Sequence, residues 1–189
     1  APSFPRSPGA PSAARASFVR RSKNMAESFI RIFIDADACP VKDETYRVAG
    51  RYGLRTLVVA NSRLNVPRHP LIEMKVVSGR FDAADDWIVE SATPWDITVT
   101  SDIPLAARVL ANGARALDPK GRVFSPDSIG DALAAREFSA FLRDMGEMGG
   151  GPSAFTPRDR SSFLQSLDTL IQSLLKARRT MTPPPPETP

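Results

Sequence analysis

The chain has 189 residues and a net charge of +4, with 25 lysines and arginines against 21 aspartates and glutamates. A single cysteine excludes an intrachain disulfide, and one cysteine with one histidine is too few for a zinc site built from those residues. No apolar run reaches the roughly 18 residues of a membrane span, so we expect a cytoplasmic protein with one folded domain.

The positive charge is concentrated near the two ends of the chain. Residues 1–24 hold five basic residues and no acid, and residues 176–189 hold three basic residues and one acid. The residues between them hold 17 basic and 20 acidic side chains, which gives this body a net charge near −3. Overall charge therefore does not mark the folded body as a nucleic-acid binder, and only local basic patches could do so.

Residues 1–28 are predicted to be a disordered extension, and residues 177–189 a disordered proline-rich tail. The Ala, Pro, Ser and Arg of residues 1–24 also suit an organelle transit peptide. Residues 25–28, M-A-E-S, are typical of a natural start, which favours an upstream extension instead. Residues 29–176 are then the folded domain, with a helical segment at its C-terminal end.

Strand and helix patterns alternate along the body of the chain. Short apolar runs predict five strands, at 30–34, 54–60, 72–77, 96–100 and 114–117. Helical spacing of apolar residues predicts five helices, at 41–52, 82–91, 104–111, 129–145 and 159–175. Pro40 suits the first turn of the first helix and Gly53 suits its end. Strands separated by helices of about ten residues predict βαβ units, and hence an α/β fold with a mostly parallel, about five-stranded sheet.

Polar and acidic side chains follow several of the predicted strands. They are Asp35 and Asp37 after the first strand, Asn61, Ser62 and Arg63 after the second, and Thr100, Ser101 and Asp102 after the fourth. Asp82, Asp85 and Asp86 share one face of the helix that follows the third strand. Because ligands of open parallel sheets bind beyond the carboxyl ends of the strands, we expect these side chains to lie at one rim.

Several carboxylates at one rim repel one another unless a cation lies between them. Two of them about 4 Å apart repel by ~4 kcal/mol at an effective dielectric near 20. Lys42 and Arg63 are the matching cations that the strand ends offer. An all-oxygen acidic cluster is what Mg²⁺ or Mn²⁺ prefers, and such an ion activates water for attack on a phosphodiester.

Capping and solvation are the alternative explanations. Capping would explain the acids that precede a helix, namely Asp35, Asp37, Asp82 and Asp102. Solvation of a helix face would explain Asp85 and Asp86. The conjunction of these acids at one predicted rim favours a metal site over both explanations.

Four motifs, in their order and spacing, resemble the YaiI/YqxD family of uncharacterised bacterial proteins. They are I-F-I-D-A-D-A-C-P-V-K at 32–42, V-V-A-N at 58–61, F-D-A-A-D-D-W-I-V at 81–89 and I-T-V-T-S-D-I-P-L-A at 97–106. Residues 149–168 resemble that family's C-terminal signature. The family is placed among the PIN-like proteins, which implies a three-layer α/β/α sandwich with acids at the strand ends. Many PIN-like proteins are Mg²⁺- or Mn²⁺-dependent ribonucleases or structure-specific nucleases.

The resemblance implies a metal-dependent phosphodiesterase, in the first place a ribonuclease acting on single-stranded or structured RNA. It implies catalytic roles for Asp35, Asp85 and Asp102. It implies a Mg²⁺ or Mn²⁺ site drawn from Asp35, Asp37, Asp82, Asp85, Asp86 and Asp102. PIN nucleases often carry Glu in the mid-domain helix where this chain carries Asp, so the choice among Asp82, Asp85 and Asp86 stays open.

Four residues near the strand ends are the expected substrate contacts: Lys42, Asn61, Arg63 and Ser101. Lys42 would neutralise a scissile phosphate, and three arginines would position the strand backbone: Arg63, Arg68 and Arg80. The G-G-G-P segment at 149–152, followed by Arg158 and Arg160, is expected to be a flexible link rather than a phosphate loop. Cys39 is expected to be a small packed residue and His69, between prolines, a loop residue.

Two other functions fit parts of the same pattern. D-A-D after a strand also occurs in haloacid-dehalogenase-like phosphatases, where the first Asp is the nucleophile and the second the general acid. Those motifs usually continue with Gly-Thr or Gly-Val, whereas this one continues with Ala-Cys-Pro. The second alternative is a domain that binds metal and RNA or a nucleotide without catalysing a reaction.

Overall fold

The structure of the protein is a computed structural model that describes residues 30–37, 39–79, 82–146 and 154–181. Its strands are β1 (Arg31–Asp35), β2 (Arg55–Ala60), β3 (Ile72–Val76), β4 (Ile97–Val99), β5 (Arg115–Leu117) and β6 (Val123–Phe124). Its helices are α1 (Lys42–Tyr52), α2 (Ala83–Ser91), α3 (Ile103–Ala111), α4 (Pro126–Asp144) and α5 (Pro157–Met181). The predicted α/β fold is confirmed.

The strands form one sheet in the order β3-β2-β1-β4-β5-β6. The first five are parallel, and β6 pairs antiparallel with β5. From β1 the chain adds β2 and then β3 on one side of β1. It then crosses back and adds β4 on the other side of β1. The strand order therefore reverses between β1 and β4, and this switch point is where open α/β sheets bind ligands.

Two apolar cores lie on the two faces of the sheet, which makes the domain a three-layer sandwich. On one face, Ile32 and Ile34 pack under α1 and under the apolar stripe of α5, which includes Phe163 and Leu167. On the other face, Phe33 packs under α2 and α3, and α4 covers the far side through Ala132. Alternate side chains of β1 thus enter opposite cores, as strand geometry requires.

One buried carboxylate stabilises the edge of the sheet at which the parallel strands β1 and β4 begin. Asp96 is 0% exposed and accepts hydrogen bonds from the backbone, Nε and Nη2 of Arg31 at 2.8–3.1 Å. It also accepts from the backbone N–H and hydroxyl of Thr93 at 2.7 and 2.8 Å. The charge is therefore compensated and hydrogen-bonded, which is the condition for burying it without a large cost in folding free energy.

Two elements differ from the sequence prediction in extent. The strand β6 was not predicted, because two residues carry no periodicity. The helix α5 ends at Met181, so it includes residues 177–181, which the sequence analysis assigned to the tail. Four of these five residues are Ala, Arg or Met, which are good helix formers, and this accounts for the longer helix. Within the described residues, no helix is both long and apolar enough to cross a membrane.

Some sequence predictions fall on residues outside the described ranges. These are the N-terminal extension through residue 29, Arg80, the G-G-G-P segment and the tail after residue 181.

Candidate active site

Two strand ends meet at the switch point of the sheet. Asp35 is the last residue of β1, and Ile34 of that strand pairs with Val99 at the end of β4. Thr100, Ser101 and Asp102 follow β4 directly. The sequence prediction that the ends of the first and fourth strands lie side by side is therefore confirmed.

Thr100 joins the two carboxylate-bearing segments. Its side chain is 0% exposed, and its hydroxyl donates to Oδ2 of Asp35 at 2.7 Å. The same hydroxyl oxygen accepts from the backbone N–H of Asp102 at 2.9 Å. From the sequence, Thr100 was identified only as a residue that follows the fourth predicted strand, and it was given no role. The T-x-D spacing was the available signal, because Thr often accepts from the N–H two residues on.

Asp102 is the N-cap of α3. Its Oδ1 accepts from the backbone N–H of Leu105 at 3.1 Å, and Pro104 lies in the first turn. The capping explanation for Asp102 is therefore correct. It does not exclude a ligand role, because an ionised carboxylate has about four acceptor positions and the cap uses one.

Asp85 is the residue that α2 directs to this rim. Its pKa is raised to about 6, first by burial and then by the nearby charges of Asp35, Asp102 and Asp82, while Arg108 lowers it. The pKa of Asp35 is also raised, first by burial, although the hydrogen bond from Thr100 lowers it. Carboxylates that raise one another's pKa lie close together in space. The structure thus brings the three predicted catalytic acids to one rim.

The other three predicted ligands have different surroundings. Asp86 forms an ion pair with Nη2 of Arg108 at 2.7 Å, which draws it toward α3. Asp82 is exposed and precedes α2, without a side-chain capping bond. Asp37 is exposed, and the N-cap position of α1 is occupied by Val41. Capping therefore does not explain Asp35 and Asp37, because the N-cap of this helix receives no side-chain hydrogen bond.

The donor chemistry at the rim fits a hard divalent cation. Asp35, Asp85 and Asp102 offer only oxygen ligands, which Mg²⁺ and Mn²⁺ prefer. The pKa values of Asp35 and Asp85 are raised, which shows that the negative charges of these two side chains are not fully compensated. Among the described residues, however, no group of three or more His, Cys, Asp or Glu side chains is arranged to hold a metal ion.

The predicted substrate contacts surround this rim. Nζ of Lys42 donates to the carbonyl oxygen of Ala36 at 3.1 Å, so it supports the turn after β1. Asn61 and Arg63 are exposed and leave the carboxyl end of β2, next to β1. Ser101 is exposed between Thr100 and Asp102. These four side chains are placed within the same edge of the sheet, as the sequence predicted.

One further acid at this edge was missed by the sequence analysis. Asp118 follows β5, as Asp35 ends β1, and burial raises its pKa. Its Oδ1 accepts from the backbone N–H of Lys120 at 2.6 Å, and its N–H donates to the carbonyl of Arg122. These bonds describe an aspartate that shapes the turn between β5 and β6. Its position after a predicted strand was the signal.

Glu44 is a buried acid that the sequence analysis did not identify. It is 4% exposed, lies in the first turn of α1, and pairs with Nε of Arg160 at 3.1 Å. The pair fastens the start of α5 to α1. Arg160, one of the arginines after the G-G-G-P segment, is therefore bound to a protein carboxylate.

The two remaining sequence predictions in this region are confirmed. Cys39 is buried in the core beneath the rim, and burial raises the pKa of its thiol to about 11. His69 is exposed in the loop between β2 and β3, where its Nδ1 accepts from the backbone N–H of Leu71 at 3.2 Å.

Comparison with known proteins identifies close relatives but no reaction. The family model described as "Uncharacterized BCR, YaiI/YqxD family" matches residues 33–173. A UPF0178 protein of Rhodopseudomonas palustris (strain HaA2) is 56% identical over 154 residues, which cover 82% of this chain and 93% of the relative. A UPF0178 protein of Caulobacter sp. (strain K31) is 57% identical over 150 residues, 79% of this chain and 97% of the relative.

No solved structure gives a significant match to the chain. The family match nevertheless spans both strand ends, the helix that carries Asp85 and most of α5. The resemblance inferred from the motifs is confirmed, and this chain belongs to the YaiI/YqxD family.

Proposed function

We propose that this protein is a divalent-metal-dependent phosphodiesterase that cleaves RNA. The observation that carries the proposal is the convergence of Asp35, Asp85 and Asp102 at the switch point, where burial and the charges of Asp35 and Asp102 raise the pKa of Asp85. Strongly shifted titratable groups at a ligand-binding edge are typical of functional sites. The resemblance to PIN-like nucleases supports the same conclusion.

The three carboxylates would hold Mg²⁺ or Mn²⁺, and this ion would supply a polarised phosphoryl oxygen and a more acidic bound water. Thr100 fixes Asp35 through its donated hydrogen bond and fixes the backbone of Asp102 through its accepted one. Asp102 is held further by its cap on α3. Two of the proposed ligands are thus oriented by groups of the chain itself, which limits the reorganisation that metal binding demands.

In this proposal, the three metal ligands do not include Asp37, Asp82 or Asp86. Asp82 contributes to the raised pKa of Asp85, so it adds negative potential to the same rim. The guanidinium of Arg108 neutralises the charge of Asp86, and this ion pair joins α2 to α3. Lys42, Asn61, Arg63 and Ser101 would contact the substrate from the surrounding edge, with Lys42 and Arg63 supplying positive charge for the phosphate.

The test is cleavage of a labelled single-stranded RNA by purified protein in Mn²⁺ or Mg²⁺. Asp35→Asn, Asp85→Asn and Asp102→Asn should each abolish cleavage. Asp131→Asn, which removes an exposed acid from α4, should leave it unchanged. Cleavage that persists in EDTA, or that Asp35→Asn leaves intact, would refute the proposal.

A binding function without catalysis is the second candidate. One observation counts against cleavage and so leaves room for this candidate: within the described part of the chain, the acids do not form the metal-holding group on which the proposed cleavage depends. Metal and RNA binding without cleavage, across a broad panel of RNAs, would support this candidate. A covalent aspartyl-phosphate trapped at Asp35 would instead support the phosphatase alternative.

A further inference from the structure

A groove lies beside the edge strand β3. The loop 61–71 leaves the carboxyl end of β2 and folds back over the sheet to begin β3 at the opposite edge. Between this loop and β3 is a groove of about 830 Å³. Alternate residues of β3 line one side of it, namely Ile72, Met74 and Val76, and residues 63–70 line the other.

The groove is basic in a body that is otherwise slightly acidic. Arg63 and Arg68 line it, and its lining residues include no Asp or Glu. Within the described residues, neither guanidinium has an acidic partner. By contrast, Arg55 on the adjacent strand is bound to Glu73 at 2.7 Å. Two uncompensated cations along one groove attract a polyanion such as a phosphodiester strand.

One end of the groove lies at the same edge of the sheet as the acidic rim. Asp35 pairs in register with Val59, and the next residue of β2, Ala60, accepts from the N–H of Val77 just after β3. Arg63 and Val76 therefore lie toward the carboxyl edge that carries Asp35. From there β3 runs about 16 Å to the other end of the groove. From the end near Arg63 and Val76, an RNA strand would cross two strand spacings, about 10 Å, to reach the end of β1 that carries Asp35.

A second cavity of about 280 Å³ adjoins the groove near Ile72, where β3 begins. The two share Arg68, His69 and Ile72 among their lining residues. Tyr46 and Thr56 line only the second cavity. Thr56 is 1% exposed, and its hydroxyl has no hydrogen-bond partner among the described residues. Apolar walls with a few polar groups are typical of sites that accept a flat ring such as a nucleobase.

We propose that the groove and the adjoining cavity bind one strand of RNA and lead it to the acidic rim. Arg63 and Arg68 contact the phosphates, and one base enters the cavity beside Tyr46 and Thr56. The groove has the volume of a drug-sized ligand site, which holds about two nucleotides of a single strand and excludes a duplex. The inference rests on the proposed function for its choice of ligand and adds the strand preference and the path.

The first test measures binding of a fluorescein-labelled single-stranded RNA 12-mer by fluorescence anisotropy, in EDTA so that no cleavage occurs. Arg63→Ala with Arg68→Ala should weaken binding at least tenfold. The slope of log affinity against log salt should fall by about 1.4, since each phosphate contact on a single strand contributes about 0.7. The matched control is Arg136→Ala with Arg143→Ala, which removes two exposed charges from α4 and should leave both values unchanged.

The second test fills the cavity. Gly50 lines it from α1, and a Cβ added at Gly50 would have no atom within 4 Å. Gly50→Leu should therefore weaken RNA binding at least fivefold while the protein stays folded, because Leu is a far better helix former than Gly. Gly50→Ala is too small to fill the cavity, and Gly130→Leu on α4 adds the same side chain elsewhere. Both controls should bind RNA as the wild type does.

Three results would overturn the inference. The first is an equal loss of RNA affinity in the groove double variant and in the α4 control double variant. The second is a duplex of the same sequence that binds as tightly as the single strand. The third is an unchanged RNA affinity in Gly50→Leu. Failure of the proposed function is distinguishable. If RNA binds in a groove-dependent way but no metal supports cleavage, the path stands and the nuclease proposal fails. If RNA is cleaved and the groove variants cleave it with unchanged KM, the path is wrong and the nuclease proposal stands.

Discussion

Replacing Asp85 with Asn should stabilise the folded protein at neutral pH. Asp85 carries a charge that burial and three neighbouring aspartates all disfavour, and the result is a pKa raised from the ordinary 3.8 to about 6. An amide has nearly the same shape and carries no charge. The substitution therefore removes the repulsion without opening a cavity.

The magnitude follows from the shift in pKa. A carboxylate with a pKa near 6 instead of 3.8 loses about 3 kcal/mol of folding free energy on ionising if it is fully buried. Because Asp85 is partly exposed, screening by water reduces this to about 1–2 kcal/mol. Since the folded-state pKa is raised, stability is fully present below pH 3.8 and is lost as the pH rises through about 6. The advantage of Asp85→Asn should therefore be complete above pH 6 and should fade toward pH 4.

The assay is urea unfolding of both proteins between pH 4 and pH 8 in EDTA. Asp86→Asn is the sharpest control, because it makes the same change one residue away but breaks the ion pair with Arg108. It should cost about 0.5 kcal/mol, as expected for a partly exposed pair. Asp131→Asn, at an exposed site on α4, should have little effect. The reasoning is refuted if Asp85→Asn destabilises the protein at pH 7, or if its effect does not depend on pH.

Four further substitutions test contacts in the body of the fold. Thr98 is buried and its hydroxyl has no partner in the described part of the chain, so Thr98→Val should be neutral or stabilise by about 1 kcal/mol in urea unfolding. Thr100→Val should destabilise by about 2 kcal/mol, because it removes the hydrogen bonds of the Thr100 hydroxyl to the Asp35 carboxylate and to the partly buried N–H of Asp102. Asp96→Asn should cost about 3 kcal/mol in the same assay, because it removes the buried charge that pairs with the partly exposed Arg31 and accepts its hydrogen bonds. Gly121→Ala should lower the melting temperature and cost about 2 kcal/mol, because Gly121 has a φ of 91° and a Cβ there would lie 2.6 Å from the backbone of Ser162.

The layout of the sheet could be predicted from sequence because each long strand is an apolar run with a clear end. The run before Asp35 and the run before Thr100 both had this form, and the rules of parallel sheets then placed their ends together. The strand Val123–Phe124 could not be predicted in this way. Two residues show no alternation, and their pairing with β5 depends on the turn that Gly121 allows.

The candidate site could be predicted only to the level of segments. Helical spacing placed Asp82, Asp85 and Asp86 on one face of α2, but it does not say which neighbour each side chain meets. That depends on how α2 packs against α3, which brings Arg108 to Asp86 and leaves Asp85 among acids. The groove beside β3 was also beyond the sequence, because the loop 61–71 has no periodicity from which its path could be read.

The acidic rim repels a phosphodiester, whereas the basic groove attracts it. A phosphodiester that approaches Asp35, Asp85 and Asp102 is repelled until a cation compensates them, and the body as a whole has a net charge near −3. Attraction must then come from Arg63 and Arg68, whose contacts lie away from the reacting bond and are the same in the ground state and the transition state. Under the proposed function, loss of such uniform contacts should change KM and leave kcat unaltered, whereas substitution of the rim acids should change kcat. The proposal thus divides binding and chemistry between two parts of one edge of the sheet, and the kinetics of the two sets of variants should divide in the same way.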